Sequence, residues 1–325
     1  MTTEPQNLSN QDSWVSKLSS GLRHPALIYG TAFKDEQTGP LTELALRTGF
    51  RAFDTANYPS AYDEAAIGEI LLRASANGLK REEVLVCKNT QAIIDPKRAD
   101  KERFQIQTKF TPVWAHAEGK LPYSTDQPLE AQVRESIELS FQNLKTDYID
   151  IMMLHVPFDD DADNLVAWKV FETYVPQRIG VLGVSNFDLP ALEKLYEAST
   201  IKPEVVQNRF QGSNGYDAEL RDYLGQKGIV YQAFSVLKSS EEIIMSDLVA
   251  RFSEQFDVPK EVGFYLLVIG LGNVSIVDGT TNKEHMQIDL KKVTEILGSR
   301  LAVEAMQVYM DDFKSLLSEA SKTVM

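Results

Sequence analysis

Three stretches decide the fold: FRAFDTA (50–56), FQIQTKF (104–110) and YIDIMMLHV (148–156). Each reads as a strand, and each carries a chemically useful residue at or near its C-terminal end: Asp54, Lys109 and His155. The loop after the first, PSAYDE (59–64), adds Tyr62. In a parallel α/β barrel the C-terminal ends of the strands converge on one rim, and that rim carries the active site. Four polar groups far apart in sequence would therefore meet in one pocket. A phenol, an ammonium, a carboxylate and an imidazole together suit proton transfer to a carbonyl oxygen.

Further strands are expected in ALIYGTAF (26–33), IGVLGVSNF (179–187), EVVQNRF (204–210), IVYQAFSVL (229–237) and SIVDGTT (275–281). Between the strands lie amphipathic stretches: TGPLTELALRTG (38–49), EAAIGEILLRASANGLK (64–80), PALEKLYEAST (190–200) and DAELRDYLGQKG (217–228). Their apolar residues recur at i, i+3, i+4 spacing. LEAQVRESIELSF (129–141) is the clearest helix, with Leu129, Val133, Ile137, Leu139 and Phe141 near one face. Alternating strands and helices imply βαβ units and a parallel sheet. Eight such units in 325 residues fit a (β/α)8 TIM barrel with a parallel eight-stranded sheet. A doubly wound open sheet would carry a glycine-rich phosphate loop after its first strand. Here that loop is GTAFKDEQTG (30–39), with no GxGxxG.

Composition narrows the function class. The net charge of −14 argues against nonspecific nucleic-acid or anionic-membrane binding. No apolar run is long enough to span a bilayer. The start, MTTEPQNLSNQDSW, lacks a basic n-region and an apolar h-region, so no secretory signal is expected and residues 1–20 read as a flexible tail. The single cysteine, Cys87, excludes an intramolecular disulfide and fits a reducing, cytoplasmic compartment. The four histidines and one cysteine show no metal-ligand spacing, so no metal site is expected. No linker or internal repeat interrupts residues 21–325, which read as one barrel domain.

One segment departs from the barrel plan. VLVCKNTQAIIDPKRADKE (84–102) separates the helix end GLKREE from RFQIQTKF. Connections in such units are usually ~2–6 residues. The segment reads either as a surface insertion or as translated intron sequence, because GLKREE would join RFQIQTKF directly without it. Sequencing the mature transcript distinguishes the two.

The motifs GFRAFDTA, QTKF, KTDYIDIMMLH, IGVLGVSNF, EVVQNRF and YQAFSVL, in this order, resemble the aldo-keto reductases. These are NAD(P)H-dependent carbonyl reductases on a (β/α)8 barrel, and the resemblance runs from about Ala26 to Val293. It is nearest to a subgroup with a longer PSAY-like loop after DTA and an LPY segment, as in KLPYS (120–124). The resemblance implies a tetrad of Asp54, Tyr62, Lys109 and His155. Two positions keep alternatives. Tyr58 competes with Tyr62, because the commoner family spacing falls on Pro59. Lys88, in REEVLVCKN, competes with Lys109. Lys109 would lower the pKa of the tyrosine and Asp54 would hold Lys109. His155 would orient the carbonyl, and Tyr62 would protonate its oxygen as hydride arrives at carbon.

The cofactor implied is NADPH, with NADH as the alternative. By the resemblance, Ser185, Asn186 and Gln207 bind the nicotinamide carboxamide, and Phe234 stacks on its ring. Thr31, Ser235, Leu237, Thr280 and Thr281 complete the expected cofactor contacts. At the adenosine-phosphate end, Gly279 stands where many NADPH-dependent members have lysine, and His285 lies near their arginine position. The substrate implied is a small-molecule carbonyl compound. Phe33, Trp114 and VWAHAEGKLPYS (113–124) are candidate substrate-lining residues at the rim. The rival reading is a non-catalytic nicotinamide-binding barrel acting as a regulatory or redox-sensing subunit. A carboxylate-pair hydrolase fares worse, because only Asp54 is prominent among the acidic strand ends. Oligomeric state has no signal in the sequence.

Overall fold

The computed structural model describes residues 16–19, 21, 23–76, 104–117 and 119–324. All eight expected strands form. They are β3 (Leu27–Gly30), β4 (Ala52–Asp54), β5 (Gln105–Phe110), β6 (Ile149–Leu154), β7 (Ile179–Ser185), β8 (Val205–Arg209), β9 (Val230–Phe234) and β10 (Val274–Asp278). They close into a barrel in the order β10-β3-β4-β5-β6-β7-β8-β9. Every neighbouring pair is parallel. Strands of a parallel sheet covered on both faces are apolar on both faces. Accordingly β6 (IDIMML) and β7 (IGVLGVS) are buried at every position.

Alternation along each strand sorts the side chains. Met152, Leu154, Leu182, Val184 and Val206 join the large core between sheet and helices. Ile151, Met153, Val181, Val205 and Val230 form a smaller cluster with Leu18. Leu18 belongs to an N-terminal ribbon in which β1 (Ser16–Lys17) pairs antiparallel with β2 (Arg23–His24). The Ser19 amide and hydroxyl both donate to the Glu204 carboxylate. The tail expected over residues 1–20 is thus docked at its C-terminal end; residues 1–15 lie outside the described residues. So do residues 77–103, which include Cys87, Lys88 and the 84–102 segment.

The helices pack outside the sheet. They are α1 (Thr38–Thr48), α2 (Glu64–Ala76), α3 (Leu129–Asn143), α4 (Asp161–Glu172), α5 (Leu189–Ala198), α6 (Ala218–Lys227), α7 (Glu241–Ile244), α8 (Asp247–Phe256), α9 (Lys260–Gly270), α10 (Lys283–Leu297), α11 (Arg300–Met306) and α12 (Met310–Val324). Local chemistry sets their ends. Asp160, Asp188, Ser246, Asn282 and Ser299 are N-caps whose side chains accept helix amides. Gly49 ends α1 at φ 119°, a conformation closed to residues with a Cβ. Among the described residues no helix is long and apolar enough to cross a membrane.

Candidate active site

The upper barrel interior is polar. Asp54, the last residue of β4, is 2% exposed, and Lys109 of β5 is fully buried. The Lys109 ammonium donates to Asp54 Oδ1 at 2.6 Å and to the Thr55 carbonyl at 2.9 Å. Asp54 Oδ1 also accepts from Gln107 Nε2 at 2.7 Å and Gln207 Nε2 at 2.8 Å. Both glutamines donate to Gln232 Oε1 at 2.8 Å. One carboxylate oxygen therefore gathers donors from β5 and β8. A buried ion pair needs this many partners to offset its desolvation. Burial pulls Lys109 below the usual lysine range, and Asp54 and then Glu64 push it back up.

The loop after β4 places the tyrosines. The Asn57 amide donates to the Lys109 carbonyl at 3.0 Å, and Asn57 Nδ2 donates to the Ser136 carbonyl and hydroxyl at 3.0 Å each. From that anchor the chain turns: the Ala61 and Tyr62 amides both donate to the Tyr58 carbonyl at 3.0 Å. The Lys109 ammonium lies 5.2 Å from the centre of the Tyr62 ring. The His155 ring lies edge-on to both phenols, 5.9 Å from Tyr58 and 6.1 Å from Tyr62. Both tyrosines face the cavity; proximity to Lys109 distinguishes Tyr62.

The electrostatics revise one expectation. Burial, then Asp54, then Tyr58 push the Tyr62 phenol well above the usual tyrosine range. With the Lys109 ammonium committed to Asp54 and the Thr55 carbonyl, burial outweighs its pull on the phenol in the resting protein. Tyr62 is held as a protonated phenol. His155 is pushed well below the usual histidine range by burial, then Lys109, then His116, so its imidazole is neutral. Its Nδ1 lies 2.7 Å from the Thr111 hydroxyl.

Above these groups opens a cavity of about 850 Å³. Its wall includes Asp54, Tyr58, Tyr62 and His155, together with Ser185, Asn186, Gln207, Phe234, Ser235, Leu237 and Thr280. Asn186 and Ser235 adopt left-handed backbone, at φ 60° and 55°. Such strain on residues other than glycine concentrates at functional sites. Asn186 Nδ2 donates to the His155 carbonyl at 2.9 Å, tying β7's end to β6's. Gln207 Nε2 is held inside the barrel, which leaves its Oε1 for a ligand donor.

Two of the expected contacts lie off this wall, and a third has its amide engaged. Thr31 is fully buried and off the cavity wall; its hydroxyl donates to the Asp54 carbonyl at 2.7 Å. That bond fixes the Asp54 backbone. Thr281 is exposed and off the wall. The Thr280 amide is engaged by Asp278 Oδ1 at 3.0 Å, so it is no free phosphate donor. Of the rim aromatics, Phe33 lines the cavity and Trp114 does not.

The wall also holds charged groups absent from the sequence expectation: Lys34, Arg209, Lys238, Glu261, Asp278 and Asp289. Arg209 and Asp278 end β8 and β10, so the strand-end rule that found Asp54 reaches them too. Arg209 is moored by a 2.9 Å bond to the Ser235 hydroxyl, with its guanidinium 5.0 Å from the Phe234 ring centre. Glu261 and Asp289 come from helices, where no strand-end signal exists. Among the described residues no cluster of side chains could hold a metal ion.

Comparison with known proteins agrees with this geometry. The family model described as "Aldo/keto reductase family" matches residues 18–241. The chain is 26% identical over 277 residues to glyoxal reductase of Bacillus subtilis (strain 168), covering 84% of each protein. It is 26% identical over 255 residues to glycerol 2-dehydrogenase (NADP(+)) of Hypocrea jecorina, covering 70% of this chain and 69% of that one. An aldo/keto reductase structure from Brucella melitensis superposes with a TM-score of 0.67 at 19% identity, covering 91% of this chain and 98% of that one, and so shares the fold. Closed barrel and matched motifs together make this chain a member of the aldo/keto reductase family.

Proposed function

We propose that this chain reduces an aldehyde or ketone to an alcohol on a single barrel domain, with Tyr62 as the acid and NADPH as the hydride source. One observation carries the reading: Lys109, fully buried, is bonded to Asp54 and lies beside the Tyr62 ring under an open cavity. NADPH is preferred to NADH because related enzymes, such as the Hypocrea jecorina dehydrogenase, are named for NADP(+). Small-molecule carbonyl compounds are the expected substrates. The net charge of −14 and the single cysteine favour a cytoplasmic enzyme without a nucleic-acid partner.

The residues present fit a nicotinamide dinucleotide. Phe234 offers a flat apolar face, and Ser185, Asn186 and Gln207 supply polar atoms beside it. Arg209, Lys238 and Lys34 line the same cavity and supply positive charge for a diphosphate. When bound, the reduced nicotinamide supplies hydride to the carbonyl carbon.

This chain's own groups manage the oxygen. A Thr111 hydroxyl that donates to Nδ1 leaves the proton of the neutral His155 on Nε2, the tautomer that can donate to the carbonyl oxygen. A neutral imidazole suits that role, since it polarises the oxygen without competing for the acid's proton. Tyr62 then transfers its phenolic proton to the oxygen as alkoxide character develops. A phenol is intrinsically a stronger acid than an alcohol, which favours the transfer. Lys109 beside the ring stabilises the phenolate that is left. Asp54 keeps the ammonium charged and in place.

The test is oxidation of NADPH and NADH by purified protein against aromatic and aliphatic aldehydes and ketones, beside Tyr62→Phe. Turnover by the wild type that collapses in the variant, with cofactor still bound, supports the reading. Cofactor binding with no turnover on any carbonyl would favour the regulatory subunit instead.

A further inference from the structure

Asp54 is held from across the barrel. In the closed sheet, β4 and β5 stand opposite β8 and β9. Asp54 and Gln107 are register partners on the first pair of strands, and Gln207 and Gln232 on the second. Four hydrogen bonds close a square between them. Gln107 Nε2 and Gln207 Nε2 each donate to Asp54 Oδ1, at 2.7 and 2.8 Å, and each also donates to Gln232 Oε1, at 2.8 Å. All four side chains are buried, and Gln107 and Gln232 lie off the cavity wall.

Chemistry fixes the polarity of this square. A carboxylate paired with an ammonium only accepts, so both glutamines must turn their NH2 groups toward Asp54. The second hydrogen of each then needs an acceptor inside the barrel, and Gln232 Oε1 supplies it. Gln232 Nε2 is left to donate, and it reaches Gln107 Oε1 at 2.8 Å and His24 Nε2 at 3.1 Å. His24 belongs to the N-terminal ribbon, and burial lowers its pKa to about 4, so its ring is neutral at neutral pH. To accept at Nε2 it carries its proton on Nδ1. The charge on Asp54 thus orders a run of amides that ends on an acceptor in the ribbon.

We propose that Gln232 is a positioning residue for the proton transfer: it holds Gln107 and Gln207 as paired donors to Asp54, and His24 holds Gln232 the right way round. This role rests on the reading of Tyr62 as the acid. The Lys109 ammonium shares Asp54 Oδ1 with both glutamines, so its place 5.2 Å from the centre of the Tyr62 ring depends on where that oxygen sits. Without Gln232 Oε1, two buried N–H groups lose their acceptor. They then compete with Lys109 for the Asp54 carboxylate and draw it out of line. Gln232 and His24 touch neither cavity nor acid, yet they set the geometry at both.

The test is single-turnover stopped flow on the full chain, for wild type, Gln232→Met, His24→Leu and His24→Gln. Each protein is loaded with NADPH and mixed with the aldehyde or ketone that the wild type reduces fastest. The rate constant for loss of NADPH absorbance reads the chemical step, and the amplitude reads the fraction of protein that is competent. Methionine keeps the length of glutamine and removes the amide. Gln232→Met should slow the rate constant about tenfold, which corresponds to ~1.4 kcal/mol of barrier, with KM for the carbonyl compound changed far less. His24→Leu should slow it several-fold, and His24→Gln, which returns an acceptor to Gln232, should restore most of that loss. A purely structural role would lower the amplitude and leave the rate constant alone. A Gln232→Met rate constant within about twofold of the wild type's overturns the role of Gln232 and leaves Tyr62 standing as the acid. Where Gln232→Met does not fold, the histidine variants decide: His24→Leu reacting at the wild-type rate overturns the proposal. A wild type that reduces no aldehyde or ketone overturns both.

Discussion

Removing the Lys109 ammonium should destabilise the barrel as well as stop catalysis. The Lys109 side chain is 0% and the Asp54 side chain 3% exposed, and they meet at 2.6 Å. Lys109→Met deletes the ammonium's bonds to Asp54 and to the Thr55 carbonyl and leaves a carboxylate inside the barrel. Orphaning one partner of a buried pair costs ~3–5 kcal/mol. Gln107 and Gln207 still donate to Asp54, which places the expected cost near the lower limit, ~3 kcal/mol. Asp54→Asn removes the counter-charge and leaves the buried ammonium with neutral acceptors only, and should cost at least as much. The double variant leaves no orphaned charge, so its cost should fall short of the sum of the singles by ~2 kcal/mol or more. Urea unfolding of the four proteins at neutral pH measures this, read from midpoints at unchanged slope. A Lys109→Met cost below ~1 kcal/mol, or single costs that add within ~0.5 kcal/mol, would refute the argument.

Other predictions concern separate parts of the molecule. Tyr62→Phe should lower kcat by ~10²–10⁴, whereas Tyr58→Phe, packed against His116 and His155 away from Lys109, should keep kcat within about tenfold; equal losses in steady-state assays would reverse the assignment. His24 is buried, and desolvation lowers its pKa to about 4. Its unfolded form takes up a proton near pH 6.5 and the folded form does not, so stability present above that pH is lost on acidification toward 4. That loss should reach roughly 3 kcal/mol, and denaturant midpoints of His24→Gln should fall less over the same window than the wild type's. Gly68 of α2 lies so close to the end of α3 that an added Cβ would sit 2.2 Å from the Asn143 carbonyl oxygen. Gly68→Ala should therefore cost ~1–3 kcal/mol in the same unfolding assay, and a neutral result would mean the two helices separate easily.

The barrel was legible because its strands are apolar on both faces and alternate with helical periods. YIDIMMLHV could be read from its own residues, and so could the rim position of His155. The rim positions of Asp54 and Lys109 were legible for the same reason, since a strand end predicts where a side chain points; Tyr62, on a loop, was named only through the family resemblance. The inner polar layer was not. Gln107 and Gln232 look like ordinary strand residues; only closure of the barrel brings Gln232 to Gln107 and Gln207 to Asp54. Thr31, just past the end of β3, has its hydroxyl turned back onto the Asp54 carbonyl, which its sequence does not announce. Asp289 was illegible because a carboxylate on an amphipathic helix normally faces solvent. It is buried here by its position over the end of β10, which no local pattern announces.

Central to the account is direct transfer of hydride to a carbonyl carbon, completed by a proton from Tyr62. The most direct measurement uses NADPH deuterated at nicotinamide C4 and an aldehyde substrate, with the alcohol analysed by mass spectrometry. The account predicts one deuterium on the carbinol carbon, and product formation that collapses in Tyr62→Phe while NADPH still binds. Alcohol that carries no deuterium from either face of the labelled cofactor, or undiminished turnover in Tyr62→Phe, would contradict it.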